Sequence, residues 1–274
     1  MNEPATAPTL RIGALIPIRL SSERLPRKAL ALASGRPLVA HLISQVRATR
    51  HVDPEFIIVC TTMESVDDDL VSAVAEAGGQ LFRGSRDDLV DRLASACEAF
   101  ELDIALQVDG DDPLVDPAYM DRAIEALLSD PKADVAVVDG LPLGISSKAI
   151  RRRAFDTVRA AYRTRSNDTG FGYFFTRTGL CNVTHVIAPI TDGHAEARLT
   201  LDYPEDLEFF RTVISALHRH GSPIHLHEIL TLLREHPQLV KINGWRSKEY
   251  WERTVALATL EFEDRDGQVI QVPL

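Results

Sequence analysis

The sequence predicts an α/β fold, a mostly parallel sheet with helices on both faces, and three observations carry that expectation. Apolar runs such as LRIGALIPI (10–18) and EFIIVCT (55–61) lack the polar alternation of a half-exposed strand, so both faces of each strand need cover. Segments with apolar residues three and four positions apart follow these runs. The two patterns alternate through residue 140, the rhythm of βαβ units.

LRIGALIPI is the first strand. PLVAHLISQVRATR (37–50) sets Leu38, Leu42 and Val46 on one helical face, with Pro37 at its start. EFIIVCT is the second strand. SVDDDLVSAVAEAGG (65–79) aligns Val66, Leu70 and Val74 and stops at Gly78-Gly79. GQLFRG (79–84) is a short strand. In SRDDLVDRLASACEAF (85–100), Ser85 is the expected N-cap and Leu89, Leu93, Cys97 and Phe100 the inner stripe. DIALQVDG (103–110) is a strand. DPAYMDRAIEALL (116–128) is a helix capped by Asp116, opened by Pro117 and burying Met120, Ile124 and Leu127. ADVAVVDG (133–140) is a strand.

The rhythm breaks over 141–196, where Gly144, Gly170, Gly172 and Gly179 accompany Phe171, Tyr173, Phe174 and Phe175. This stretch is read as an inserted α+β lobe that caps a pocket or forms a dimer surface. It should hold one helix, AIRRRAFDTVRAAY (149–162), and antiparallel strands such as NVTHVIAP (182–189). ARLTLD (197–202) restores the strand pattern and PEDLEFFRTVISAL (204–217) the helix. A helical tail follows, then a hairpin, EFEDRDGQVIQV (261–272), turning at Asp266-Gly267. The expectation is one domain over 1–274, with 1–9 as a flexible lead-in.

The formal net charge is −10 and the pI about 5.4. A broad basic face for nucleic acid or a membrane surface is therefore not expected. Three separated cysteines, Cys60, Cys97 and Cys181, fit a reducing compartment, and the cytoplasm is the expected location. No apolar run approaches the ~20 residues of a membrane span.

Against this acidic background, IPIRLSSERLPRKAL (16–30) gathers Arg19, Arg24, Arg27 and Lys28 around one acid, Glu23. Ligands of open parallel sheets bind beyond the carboxyl ends of the strands, and this loop follows the first strand. Two more strand ends are unusual. QVDGDDPLVDP (107–117) crowds Asp109, Asp111, Asp112 and Asp116, and LTLDYPEDLE (199–208) sets Asp202 just before Pro204. Crowded carboxylates call for a hard divalent cation, and Mg²⁺ takes one or two of them plus phosphate oxygens. Arg and Lys call for an anion. Together the three strand ends describe a site for a magnesium-bound polyphosphate. Each also has a plainer reading: a solvated loop, a tight turn before a capped helix, and a helix start. The chain has no GxxxxGK[ST] and no GxGxxG. His225 and His227, in LHRHGSPIHLHE (217–228), lack the Cys or acid that would complete a metal set. Arg151, Arg152 and Arg153 read as a solvated helix face.

IPIRLSSERLPRKAL resembles the signature IPARxxSxRLPGKxL of sugar-acid cytidylyltransferases, the group that contains 3-deoxy-manno-octulosonate cytidylyltransferase. GRPLVAHLISQV (35–46) and VDGDDPLVDP (108–117) continue the likeness. FRGSRDDLVDRL (82–93) paired with RLTLDYPEDLEFF (198–210) is nearer to the spore-coat polysaccharide type. The likeness covers roughly 10–140 and 197–217.

It implies a Rossmann-like nucleotidyltransferase fold and transfer of CMP from CTP to a hydroxyl of an acidic sugar or similar small acid, with release of pyrophosphate. It implies CTP phosphates on Arg19, Ser22, Arg24 and Lys28. Backbone at Ala14, Leu15 and Pro17 would lie beside the cytosine and ribose, with Asp109 also in the nucleotide site. Mg²⁺ would sit on Asp111 and Asp202. Lys28, Arg24 and Asp111 would carry the chemistry, Lys28 and Arg24 by neutralising the leaving pyrophosphate. The aromatic-rich lobe at 141–196, rather than the likeness, points to a homodimer. Arg27 departs from the pattern, since it stands where the signature has Gly. Two rival readings are a metal-dependent glycosyltransferase, for which Asp109-Gly110-Asp111 would be the Asp-x-Asp, and a non-catalytic nucleotide-binding protein.

Overall fold

β1 (Ile12–Pro17) is the third strand across a seven-stranded sheet in a computed structural model describing residues 10–164, 166–194 and 196–273. The lead-in expected at 1–9 lies outside the described residues. After β1 come a two-rung hairpin, β2 (Leu32–Ala33) and β3 (Arg36–Pro37), and α1 (Leu38–Arg47). Then follow β4 (Ile57–Thr62), α2 (Leu70–Glu76), β5 (Gln80–Gly84), α3 (Leu89–Ala99), β6 (Ile104–Gln107), α4 (Pro117–Ser129) and β7 (Val135–Asp139). The order across the sheet is β5-β4-β1-β6-β8-β7-β9, where β8 is Lys148–Arg151 and β9 is Val183–Ile187. Every pairing is parallel except those of β8, which runs against both β6 and β7.

Both faces of the sheet are buried, as the unbroken apolar runs require. Ala14, Ile16, Val59 and Leu106 face one core, filled by Leu42 of α1, Met120 of α4 and Phe209 of α7 (Pro204–Leu217). Leu15, Ile58, Cys60 and Ala105 alternate onto the other face. There they meet Leu93 and Cys97 of α3, Phe155 of α5 (Arg152–Ala161) and Phe174 of α6 (Phe171–Thr176). The chain closes with α8 (Leu226–Glu235), α9 (Val240–Asn243), α10 (Arg246–Leu257) and the hairpin β10 (Thr259–Glu263)–β11 (Val269–Pro273). None of the described helices is long and apolar enough to cross a membrane.

Several local expectations are corrected. The segment AIRRRAFDTVRAAY is a strand followed by a helix, β8 then α5. β9 pairs in parallel with β7 rather than antiparallel, and residues 141–196 place both β8 and β9 in the same sheet as β1. ARLTLD forms no strand. Its amides reach across the sheet end instead, Leu199 N to Leu143 O (2.8 Å) and Leu201 N to Asp111 O (2.7 Å). Helix α3 is capped by Asp88, which accepts from Asp91 N at 2.9 Å, while Ser85 sits a turn outside and accepts from Asp88 N. Val66 is exposed, because the stretch before α2 is a 3₁₀ turn and breaks the 3.6-residue period. Arg151 lies in β8 rather than on a solvated helix face, and donates to Ala133 O and Leu127 O.

Candidate functional site

The basic loop is pinned before it meets any ligand. Leu20 N donates to Asp67 Oδ1 at 2.7 Å, and Arg27 N to Leu20 O at 2.9 Å. Burial pushes the Asp67 carboxyl up, but hydrogen bonds from Thr62, Leu20 N and Thr61 outweigh it and hold the group below its ordinary value. Arg27 has φ 60°, the left-handed region, and its side chain turns outward to Asp69 at 2.8 Å. Arg19, Ser22, Arg24 and Lys28 are left facing a cleft of about 1150 Å³ beyond the carboxyl ends of β1, β6 and β7.

The acids approach from the other side. Gly110 lets Asp109-Gly110-Asp111 pass against the end of β1, where a Cβ would stand 2.2 Å from Pro17 O. Gly144 does the same for the 197–202 segment; φ is +92° and a Cβ would meet Leu199 O at 2.0 Å. These two close passages bring Asp111 and Asp202 to one ammonium. Lys28 Nζ lies 3.2 Å from Asp111 Oδ2, 3.2 Å from Asp202 Oδ1 and 2.5 Å from Leu201 O.

Asp202 is 1% exposed and also accepts from Arg24 (2.5 Å) and Arg198 (2.8 Å). Beneath it, buried Asp206 accepts from Asp202 N, Tyr203 N and Arg198, so the turn is fixed by charge-assisted bonds. Burial works against ionisation of Asp202, and Lys28, Arg24 and Arg198 overcome it, holding its pKa below the ordinary value. Asp111 goes the other way, to about 6: burial outweighs the pull of Lys28, and Asp202 and Asp109 add repulsion. Burial likewise disfavours the Lys28 ammonium, but Asp111 and Asp202 keep its pKa above the usual lysine range.

Pro17, Arg19, Ser22, Arg24, Lys28, Asp109, Asp111 and Asp202 thus line one cleft. Ala14 and Leu15 do not. They are fully buried inside β1, paired with β4 and β6, and only Pro17, the strand's last residue, reaches the wall. Sequence reasoning missed Arg92, Lys148, Asp168 and Tyr250, which also line it. Arg92 is 1% exposed, and Asp168 stands between it (3.9 Å) and Arg19 (2.7 Å). The sequence signal was faint: Lys148 follows two serines and precedes Ala149-Ile150, and Arg92 follows Asp91 in an amphipathic helix pattern. His225 and His227 stack on each other at 5.7 Å, and His225, which caps α8, also stands with its Nδ1 3.7 Å from Asp116 Oδ2.

Among the described residues no three His, Cys, Asp or Glu side chains form a metal cage. Two carboxylates converging on one cation, Asp111 and Asp202, are nonetheless a donor set that fits Mg²⁺, whose other positions go to water and phosphate oxygens.

The architecture is a Rossmann-like nucleotidyltransferase fold. It superimposes on a cytidylyltransferase from Leptospira borgpetersenii with a TM-score of 0.76 at 20% identity, over 85% of this chain and 97% of that one. It superimposes on CMP:2-keto-3-deoxy-manno-octonic acid synthetase complexed with CTP with a TM-score of 0.58 at 18% identity, over 75% and 99%. In sequence, the family profile described as cytidylyltransferase matches residues 13–211, and the chain belongs to that family. Spore coat polysaccharide biosynthesis protein SpsF of Bacillus subtilis is 26% identical over 227 residues, 81% of this chain and 94% of that protein. The 3-deoxy-manno-octulosonate cytidylyltransferase of Pelobacter propionicus is 34% identical over 131 residues, 47% of this chain and 49% of that enzyme.

Proposed function

We propose that the protein transfers CMP from CTP to a hydroxyl of an acidic sugar or similar small acid, releasing pyrophosphate, in nucleotide-sugar or glycan-precursor synthesis in the cytoplasm. The observation that carries this reading is the shared ammonium of Lys28, which holds a phosphate-binding cation and two metal-fit carboxylates within 3.2 Å. Arg19, Ser22, Arg24 and Lys28 bind the triphosphate, and Pro17 and Asp109 border the nucleoside. The acceptor hydroxyl oxygen bonds to the α-phosphorus, the bond to the bridging oxygen breaks, and pyrophosphate leaves with that electron pair. The hydroxyl proton passes to water or to an aspartate of the cleft. Asp111 and Asp202 hold Mg²⁺, which when bound polarises the α-phosphate and offsets its charge. Arg24 and Lys28 then exchange their carboxylate partners for phosphate oxygens and neutralise the growing charge of the leaving group.

The test is pyrophosphate release with each of four nucleoside triphosphates and a panel of sugar acids. Release with CTP above the other three supports the reading; equal release with UTP and GTP, or a response only to UDP-sugars, overturns it. Lys28→Ala is expected to lower kcat by about 3 kcal/mol of barrier, roughly 150-fold, with a smaller change in CTP affinity. Unchanged turnover would remove Lys28 from its role. The proposal includes a homodimer through the β9 edge, where Ile187 and Ile190 are 72% and 95% exposed. Sedimentation of Ile190→Glu against the parent chain reads it out: a monomer is expected only for the variant.

A further inference from the structure

Among the described residues seven Arg and Lys side chains line the cleft, and six of them lie within 4 Å of a carboxylate. Lys148 is the exception. Its Nζ donates to Gln107 Oε1 at 3.3 Å, a neutral amide, and among the described residues it enters no ion pair. The side chain is half-buried, so it has given up part of its hydration without a compensating charge. Such a group is stabilised by whatever anion enters.

Its placement says which ligand that is. Lys148 stands on β8 directly across from Gln107, the last residue of β6, and Gln107 Nε2 donates to Asp109 Oδ1 at 2.8 Å. The ammonium therefore sits beside the strand end that leads to Asp111, on the strand two places across the sheet from β1 and its basic loop. Gly172 keeps the approach open on the other side, since a Cβ there would stand 3.2 Å from Lys148 Cε. Under the cytidylyl-transfer reading the triphosphate has its own cations, on the loop that follows β1.

We propose that Lys148 is the specificity-determining residue for the acceptor, its ammonium pairing with the acceptor's carboxylate, and that Gln107 is a positioning residue that holds that ammonium. Calling the ligand the acceptor rests on the cytidylyl-transfer reading; the preference for a carboxylate does not. One ammonium balances one negative charge, whereas a phosphate monoester carries about −1.5 to −2 and calls for several donors.

The test is calorimetry on the full-length protein with Mg²⁺, with and without the unreactive analogue α,β-methylene-CTP. The titrants are glucuronate, N-acetylneuraminate and 3-deoxy-manno-octulosonate, with glucose and glucose 6-phosphate as uncharged and phosphorylated counterparts. At least one acid is expected to bind the wild type about tenfold or more tightly than glucose, the usual worth of a hydrogen bond to a charged group. Lys148→Gln should erase that preference, Lys148→Arg should restore most of it, and the affinity for α,β-methylene-CTP should stay the same in all three proteins. The assignment is overturned if no acid exceeds glucose on the wild type, if glucose 6-phosphate binds best, if the preference survives in Lys148→Gln, or if that variant loses nucleotide affinity in parallel. Failure of the wild type to bind the CTP analogue would instead sink the cytidylyl-transfer reading, because the acid preference is also measured without nucleotide.

Discussion

Arg27 holds a backbone conformation that costs a side-chain-bearing residue about 1 kcal/mol or more, at φ 60°. Its ion pair with Asp69 is exposed on both sides and returns little. Arg27→Gly should therefore raise stability by about 1 kcal/mol in urea melts and leave the Michaelis constant for CTP unchanged; a weaker CTP interaction would mean that Arg27 reaches the phosphates. Asp111 and Asp202 separate in the same experiment. Each change to Asn should cut turnover by orders of magnitude. Asp202→Asn should also cost about 3–5 kcal/mol of stability, because it leaves the buried Arg198 and the ammonium of Lys28 short of a counter-charge. The Asp111 side chain is 31% exposed and holds no such network, so its change to Asn should not lower the melt at neutral pH. Equal melts for both variants would mean that Asp202 does not hold this charge network. The basic loop and the aspartates were legible in the sequence because residue type and strand-end position coincide there. Arg92 and Lys148 were not, because a single cation among mixed neighbours does not say which wall it will face.

At the scale of elements, what was readable followed periodicity. The strands β1, β4, β6 and β7 and the helices α1, α4 and α7 announce themselves by unbroken apolar runs and by apolar residues three and four apart. β8 was hidden because four strand residues run directly into α5, and Ala149 and Ile150 satisfy either period. ARLTLD failed in the opposite sense. Its alternation is real, but its hydrogen-bond partners are loop carbonyls rather than a neighbouring strand. That crossing depends on Gly144. Gly144→Ala should destabilise the protein by several kcal/mol and impair the site together with the fold, since both the +92° φ and the 2.0 Å approach to Leu199 O forbid a Cβ. Thermal melting with and without CTP checks this; a variant of wild-type stability would show that the 197–202 segment can shift without loss.

Over the whole molecule, an acidic protein keeps every described cleft cation but Lys148 paired with its own carboxylates, and one of these makes stability depend on pH. The Asp111 carboxyl, pushed up to about 6 chiefly by burial, is near 3.9 in an unfolded chain. Between those values the folded chain binds a proton that the unfolded chain does not. Its stabilising contribution is thus complete below about pH 4 and lost as pH rises through 6. Asp111→Asn carries no charge at any pH, so its stability relative to the metal-free wild type should improve between pH 5 and pH 7.5. Denaturant midpoints at the two pH values measure this, and a constant gap would remove the assigned shift.

Lys28 meets Asp202 across 174 residues of chain, and Glu23 meets Arg253 across 230. On the ribosome these partners are made on the order of ten to fifty seconds apart. The basic loop therefore leaves the exit tunnel with its cations uncovered, and its counter-charges arrive in turn, Asp69 and Asp111 first and Asp202 much later. The cleft gains its deepest carboxylate late, and a nascent chain halted short of Asp202 would carry the basic loop without the buried partner of Arg24 and Lys28.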